Sequence, residues 1–148
     1  MAIEDLKRNV NEKFPEIKEI EEVNKKRLMI FIPRELLHPM AKYLFEDLKY
    51  RYVIVTAMDS QDGYEIIYHF SDDTSGWVIN LNVLLPHDKP EIESLVPVIK
   101  GVEWIEREIF DLIGITFLNH PNLKRFLFAE SWKDGEYPFR RKHTEEKK

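Results

Sequence analysis

The chain contains no cysteine. It can therefore form no disulfide, offers no thiolate nucleophile or zinc-thiolate site, and cannot hold a conventional iron-sulfur cluster. Any redox cofactor is expected to belong to a partner. There is also no Gly-rich phosphate loop, no internal repeat and no low-complexity tract. His38, His69, His87, His120 and His143 show no spacing that would set two of them on one metal. No run approaches the roughly 18 apolar residues of a bilayer span, and the first residues, MAIEDLKRNVNEKF, are charged rather than a signal peptide. A soluble, cytoplasmic chain is the expectation.

What is present suffices for one domain: 148 residues, 43% of them hydrophobic and 12% aromatic, can bury a real core but not two. The formal net charge of -5 argues against nonspecific nucleic-acid binding, which depends on neutralising phosphates. The charge is uneven. Residues 1–23 are acid-rich, whereas Lys124, Arg125, Lys133, Arg140, Arg141 and Lys142 make the C-terminal segment locally basic. High Lys and Glu content with a single Gln is compatible with a thermophilic source.

The most informative stretch is Trp104 to Gly114, WIEREIFDLIG. At about 100° per residue, Trp104, Ile105, Ile109, Phe110, Leu112 and Ile113 spread over a broad apolar arc, while Glu103, Arg107 and Asp111 gather on a narrow polar stripe. Glu106 and Glu108 fall inside the apolar arc, so each must be protonated, paired with a cation or turned toward another protein. A solvated ladder of i,i+4 pairs is the plain reading of the stripe.

Elsewhere Ile3, Leu6, Val10 and Phe14 recur at helical spacing, and Pro15 closes that helix. Leu28 to Ile32 reads as a strand. Pro33 suits the first turn of a helix carrying Leu36, Leu37, Met40, Ala41, Leu44, Phe45 and Leu48 on one stripe, with Pro39 tolerated early in it. Strands are predicted over Tyr52 to Ala57, Tyr64 to Phe70 and Trp77 to Leu85, linked by SQDG and SDDTSG, which are short enough for hairpins. Glu91 to Lys100 reads as a short helix or turn, and Gly114 as a left-handed helix cap. The order implies an α+β single domain with a mostly antiparallel sheet, helices packed on one face, and an irregular C-terminal arm. Residues 1–120 are expected to form the domain and residues 121–148 an extended interface arm.

Along this second half Glu106-Arg107-Glu108, Asp111, Gly114, Phe117, His120-Pro121-Asn122-Leu123, Arg125, Trp132, Gly135, Pro138 and Arg140 form an array. It resembles the signature of the 30-kDa subunit of respiratory NADH dehydrogenase (complex I), a family that includes counterparts in membrane-bound [NiFe] hydrogenases and related archaeal complexes. The match is dense over Trp104 to Lys142. It departs in having Lys124 and Phe126 where an arginine and an aliphatic residue are common, and in lacking an aspartate after Arg140 and Arg141.

The resemblance implies a cofactor-free structural subunit of the hydrophilic arm of a complex I-like membrane-bound oxidoreductase, of the hydrogenase, sulfur-reductase, NADH or F420H2 type. It would lie peripherally on the cytoplasmic side of the membrane, packed against the catalytic large subunit and the iron-sulfur small subunit. Iron-sulfur clusters, and NiFe in the hydrogenase type, would sit in those partners. No catalysis is expected of the isolated chain. The residues expected to matter for structure or interface are Glu106, Arg107, Glu108, Asp111, His120, Arg125, Trp132, Arg140 and Arg141, with Glu106 and Glu108 accepting charge-assisted bonds from Arg125, Arg140 or a partner's arginine. Two other classes fit the residues less well: a stand-alone acid/base hydrolase using Glu106, Glu108 and His120, and a small RNA-binding α+β domain.

Overall fold

Alternation is cleanest in Trp77–Leu85 (β5), where Ile79, Leu81, Val83 and Leu85 are fully buried on one face. That strand is the centre of the sheet. The computed structural model describes residues 1–125 and 135–141. Its elements are α1 (Ile3–Lys13), β1 (Glu19–Asn24), β2 (Arg27–Phe31), α2 (Leu37–Lys42), β3 (Arg51–Asp59), β4 (Tyr64–Asp72), β5, β6 (Glu91–Glu93), α3 (Glu103–Ile113) and β7 (Thr116–Leu118). Five strands pair in the order β1-β2-β5-β4-β3, and β6 pairs separately with β7. The two predicted hairpins are antiparallel, as is β1 with β2, whereas β2 runs parallel to β5.

Register places one apolar face together. Ile66 lies opposite Val83, Tyr68 opposite Leu81 and Phe70 opposite Ile79, while Leu28 and Ile30 of β2 align with Ile79 and Leu81. Against this face pack Leu6 and Val10 of α1, Leu37, Met40 and Ala41 of α2, and Ile109 and Ile113 of α3, all in one core cluster. Burying side chains of this size contributes about 1.5–3 kcal/mol each relative to leaving them exposed. The opposite face carries a polar chain: Thr56 Oγ1 donates to His69 Nε2 at 2.9 Å, His69 Nδ1 donates to Asn80 Oδ1 at 2.6 Å, and Asn80 Nδ2 donates to the Leu28 carbonyl at 2.9 Å. That is why Asn80, on the polar side of β5, can be buried.

One strand was not foreseen and two readings change. Glu19–Asn24, EIEEVN, is a strand despite its charges, because it is an edge strand whose residues are almost all exposed. The segment after Pro90 is a short strand, β6, followed by turns, rather than a helix, and its first helical turn begins only at Lys100. The predicted helix from Pro33 is broken into a 3-10 turn at Arg34–Leu36, α2, and a π-helical turn at Tyr43–Asp47. Pro39 falls in the first turn of α2, where its missing N–H would have had no intrahelical acceptor.

Candidate functional site

Val102, Glu106, Ile109 and Ile113 recur at helical spacing and are all buried. The core-facing stripe of α3 thus has a carboxylic acid in its middle. Glu106 is 0% exposed. Its Oε1 accepts the Leu95 N–H at 2.8 Å and its Oε2 lies 2.6 Å from Ser94 Oγ. His120 stands beside it, with Nε2 3.8 Å from Oε2. Burial pushes the Glu106 carboxyl up to about 7, against the pull of the Ser94 and Leu95 hydrogen bonds.

The expected arginine partners go elsewhere. Among the described residues neither Arg125 nor Arg140 pairs with Glu106. Glu108 is half-buried on the side of α3 that leaves Trp104 61% exposed. It makes no hydrogen bond or ion pair among the described residues. The wheel had placed both acids in one apolar arc, but only the Glu106 side meets the sheet. The two carboxyls therefore do not converge on a common cleft.

The polar stripe also turns inward. Arg107 and Asp111, expected to be solvated, are buried, because the chain beyond β7 passes over them. Arg107 Nε donates to the Lys124 carbonyl at 3.3 Å, and its guanidinium stacks on Trp104 at 4.9 Å. Asp111 Oδ1 lies 4.0 Å from Arg125 Nε. Arg125 donates to the Glu136 carbonyl at 2.8 Å and lies over the Tyr137 ring at 4.8 Å.

Within the described residues the arm folds back on its own domain. Gly114 ends α3 in the left-handed region, φ 81°, with its N–H donating to the Phe110 carbonyl. A Cβ there would meet Arg140 Nη2 at 2.5 Å and Tyr137 Cε2 at 2.6 Å. Glycine is required twice over, by backbone conformation and by the seat it leaves for the arm. Into that seat Arg140 sends its guanidinium, donating from Nε to the Ile113 carbonyl at 2.5 Å and from Nη2 to the Gly114 carbonyl at 3.4 Å. It also lies 4.3 Å from the Tyr137 ring centre. The Phe139 N–H donates to the Leu112 carbonyl, and the Arg141 N–H donates to Asp59 Oδ2 at 2.7 Å. Trp132 lies outside the described residues.

Three anchors escaped sequence reading. Asp59 lay between the predicted strand end at Ala57 and the SQDG link and was given no role, yet it is the buried end of β3 and holds both the Arg141 N–H and His87 Nε2, the latter at 2.8 Å. Ser94 lay in a stretch without periodicity. Tyr137 lay in the arm, where no pattern distinguishes a seat from a solvated ring. Among the described residues no group of three His, Asp or Glu side chains is arranged to hold a metal, and no helix is long and apolar enough to cross a membrane.

The geometry around Gly114 can be set beside known proteins. Residues 30–148 match the family model of the respiratory-chain NADH dehydrogenase 30 Kd subunit. The chain belongs to that family. A subunit of the F420H2 dehydrogenase of Methanosarcina mazei is 34% identical over 133 residues, which are 87% of this chain and 84% of that one. A subunit of the NADH-quinone oxidoreductase of a Nocardioides species is 32% identical over 117 residues, 74% of this chain but 47% of that one, so the present chain spans about half of that family member. The family fold recurs in the structure of a membrane-bound sulfane sulfur reductase, an archaeal respiratory membrane complex, with a TM-score of 0.81 over 93% of this chain and 82% of the other at 21% identity. At that identity the likeness is one of fold.

Proposed function

We propose that this chain is a cofactor-free scaffold subunit in the peripheral arm of a complex I-like membrane-bound oxidoreductase, packed against its large catalytic and small iron-sulfur subunits on the cytoplasmic side. The observation that carries this reading is the match across 87% of the chain to an F420H2 dehydrogenase subunit of almost the same extent. The geometry supports it. The acids and bases of the signature are spent on the chain's own backbone: Glu106 on Leu95, His120 on Glu103, Arg107 on Lys124, Arg140 on Ile113. A general acid or base has to reach a reacting atom within hydrogen-bond distance. Glu106 and the His120 side chain, both 0% exposed, do not reach solvent.

Large exposed apolar side chains, Trp104 and Phe139 at 61% each, are of the aromatic kind that dominates interface energetics. Phe139 stands on an arm whose backbone is pinned on both sides of it. Those two side chains, with the arm of residues 121–148, are the part of the chain proposed to meet partners.

Affinity purification of the tagged chain from solubilised membranes, followed by mass spectrometry and metal analysis, tests the proposal. A large catalytic subunit and an iron-sulfur subunit in equal amounts with the chain are expected. Nickel in the particle would select a hydrogenase, and iron-sulfur without nickel a quinone-, F420- or sulfur-linked relative. A chain recovered alone and turning over a substrate by itself would overturn it.

A further inference from the structure

The seam around Glu106 has a property the scaffold role does not use. Three separate segments meet at this carboxyl: α3, which carries it; residues 94–96, which follow β6; and the loop at His120, which follows β7. Donors alone would favour a carboxylate, because the Ser94 O–H and the Leu95 N–H both point at it. Ser94 is itself held, accepting the Val96 N–H on Oγ at 3.1 Å and the His38 Nε2–H on its carbonyl at 2.6 Å. The donor pair therefore cannot move away without unmaking a turn.

No cation answers the charge. Among the described residues, the only basic group near the carboxyl is the His120 ring, and its hydrogen bonds are committed. Nδ1 accepts the Asn122 N–H at 3.0 Å, so it carries no proton, and Nε2–H donates to the Glu103 carbonyl at 2.9 Å. An imidazolium would have to give up the Asn122 bond and open the loop. Arg107, the neighbour on α3, is turned to the Lys124 carbonyl. From the sheet, Tyr68 of β4 and Tyr52 of β3 face the same region. Both phenols are pushed up, chiefly by burial and next by the Glu106 charge, Tyr52 to about 12 and Tyr68 well above its ordinary value. The Tyr68 hydroxyl is buried with no hydrogen-bond partner among the described residues. Two neutral donors against full desolvation leave the charged and uncharged forms close in free energy.

We propose that Glu106 is a buried proton-binding site whose loss of the proton loosens the junction of α3 with residues 94–96 and with the His120–Asn122 loop, and through that loop the arm that follows it. In the acid form no charge is buried, and the three segments close on it. In the anionic form an uncompensated charge sits under them. The charge is relieved by admitting water between the carboxyl and the His120 ring, which lie 3.8 Å apart, and this opens the seam at Asn122. The rise of the Glu106 carboxyl to about 7 puts this change in the neutral range.

The test is a side-chain carboxyl NMR titration of the full chain from pH 4.5 to 9, with amide exchange protection measured at each step. Glu106 is expected to titrate at least 100-fold in proton affinity away from the other glutamates, and the Leu95 and Asn122 amides to lose at least tenfold protection over the same interval. Glu106→Gln should remove the titration and keep both amides protected throughout. Should that variant fail to fold, Ser94→Ala serves instead: removing a donor to the anion must move the Glu106 midpoint to still higher pH. A Glu106 midpoint in the ordinary glutamate range, amide protection that ignores it, or a Ser94→Ala midpoint that stays or falls, would each overturn the proposal.

Discussion

Arg140 Nε lies 2.5 Å from the carbonyl oxygen of Ile113. A residue 27 positions away in sequence thus supplies the donor that the last turn of α3 lacks, and a cation at the negative end of the helix dipole. The arm is in this sense part of α3, and the first prediction follows from it. Arg140→Ala strands the Ile113 and Gly114 carbonyls and removes a cation from the Tyr137 ring, so urea denaturation should show a loss of about 1–3 kcal/mol. Arg140→Lys keeps the charge without the planar fork and should recover only part of that.

Gly114→Ala meets two obstacles, a φ of 81° and the side chains of Arg140 and Tyr137 within 2.7 Å of the added carbon. Thermal unfolding should report a loss exceeding the roughly 1 kcal/mol of the backbone effect alone. Limited proteolysis should at the same time cut faster within residues 135–141, because the arm has lost its seat.

Asp59→Ala removes the acceptor for the Arg141 N–H and for His87. The expected cost is about 1–3 kcal/mol in denaturant, again with faster cleavage at the arm. Asp59→Asn should be milder, since an amide oxygen still accepts one of the two donors.

Glu106 makes stability depend on pH with a definite sign. Its folded value of about 7 lies above the ordinary 4.5, so the native state binds a proton that the unfolded chain has released across that window. Its contribution is fully present below about pH 4.5 and is lost as pH rises through about 7, a difference of about 3 kcal/mol at roughly 1.4 kcal/mol per pH unit. Chemical denaturation at stepped pH should show that decline in the native chain. In Glu106→Gln it should be largely absent, leaving the variant the more stable of the two at pH 8.

How much of this could be read from the residues depended on whether the cause was local. Trp77 to Leu85 was read to its exact ends, because its alternation is a property of the strand itself, and Gly114 was placed as a cap for an equally local reason. The family array around Trp104 to Arg140 was also readable, being chemical identity at fixed spacing. β1 was not, since EIEEVN has no buried face and is a strand only because β2 lies beside it. The inward turn of Arg107 and Asp111 was not readable either. A helical wheel gives relative angles, and which arc meets solvent is decided by a chain segment that returns more than ten residues later. The partners of Glu106 were missed for the same reason: Ser94 and Leu95 are donors by virtue of a turn, not of a pattern.

Trp104 separates fold from assembly. It is 61% exposed and its ring stacks with the Arg107 guanidinium, so Trp104→Ser should cost the isolated chain no more than about 1 kcal/mol. Under the scaffold reading the same change should weaken retention of the chain in the purified particle, measured as its ratio to the large subunit after a salt wash.

The scaffold claim itself is tested most directly by native mass spectrometry of the intact particle and of the chain released from it. The account predicts that the released chain carries no metal and no organic cofactor, and that the remaining subunits keep all of the iron. Iron, nickel or an organic cofactor travelling with the released chain, or a chain that never enters such a particle, would contradict it.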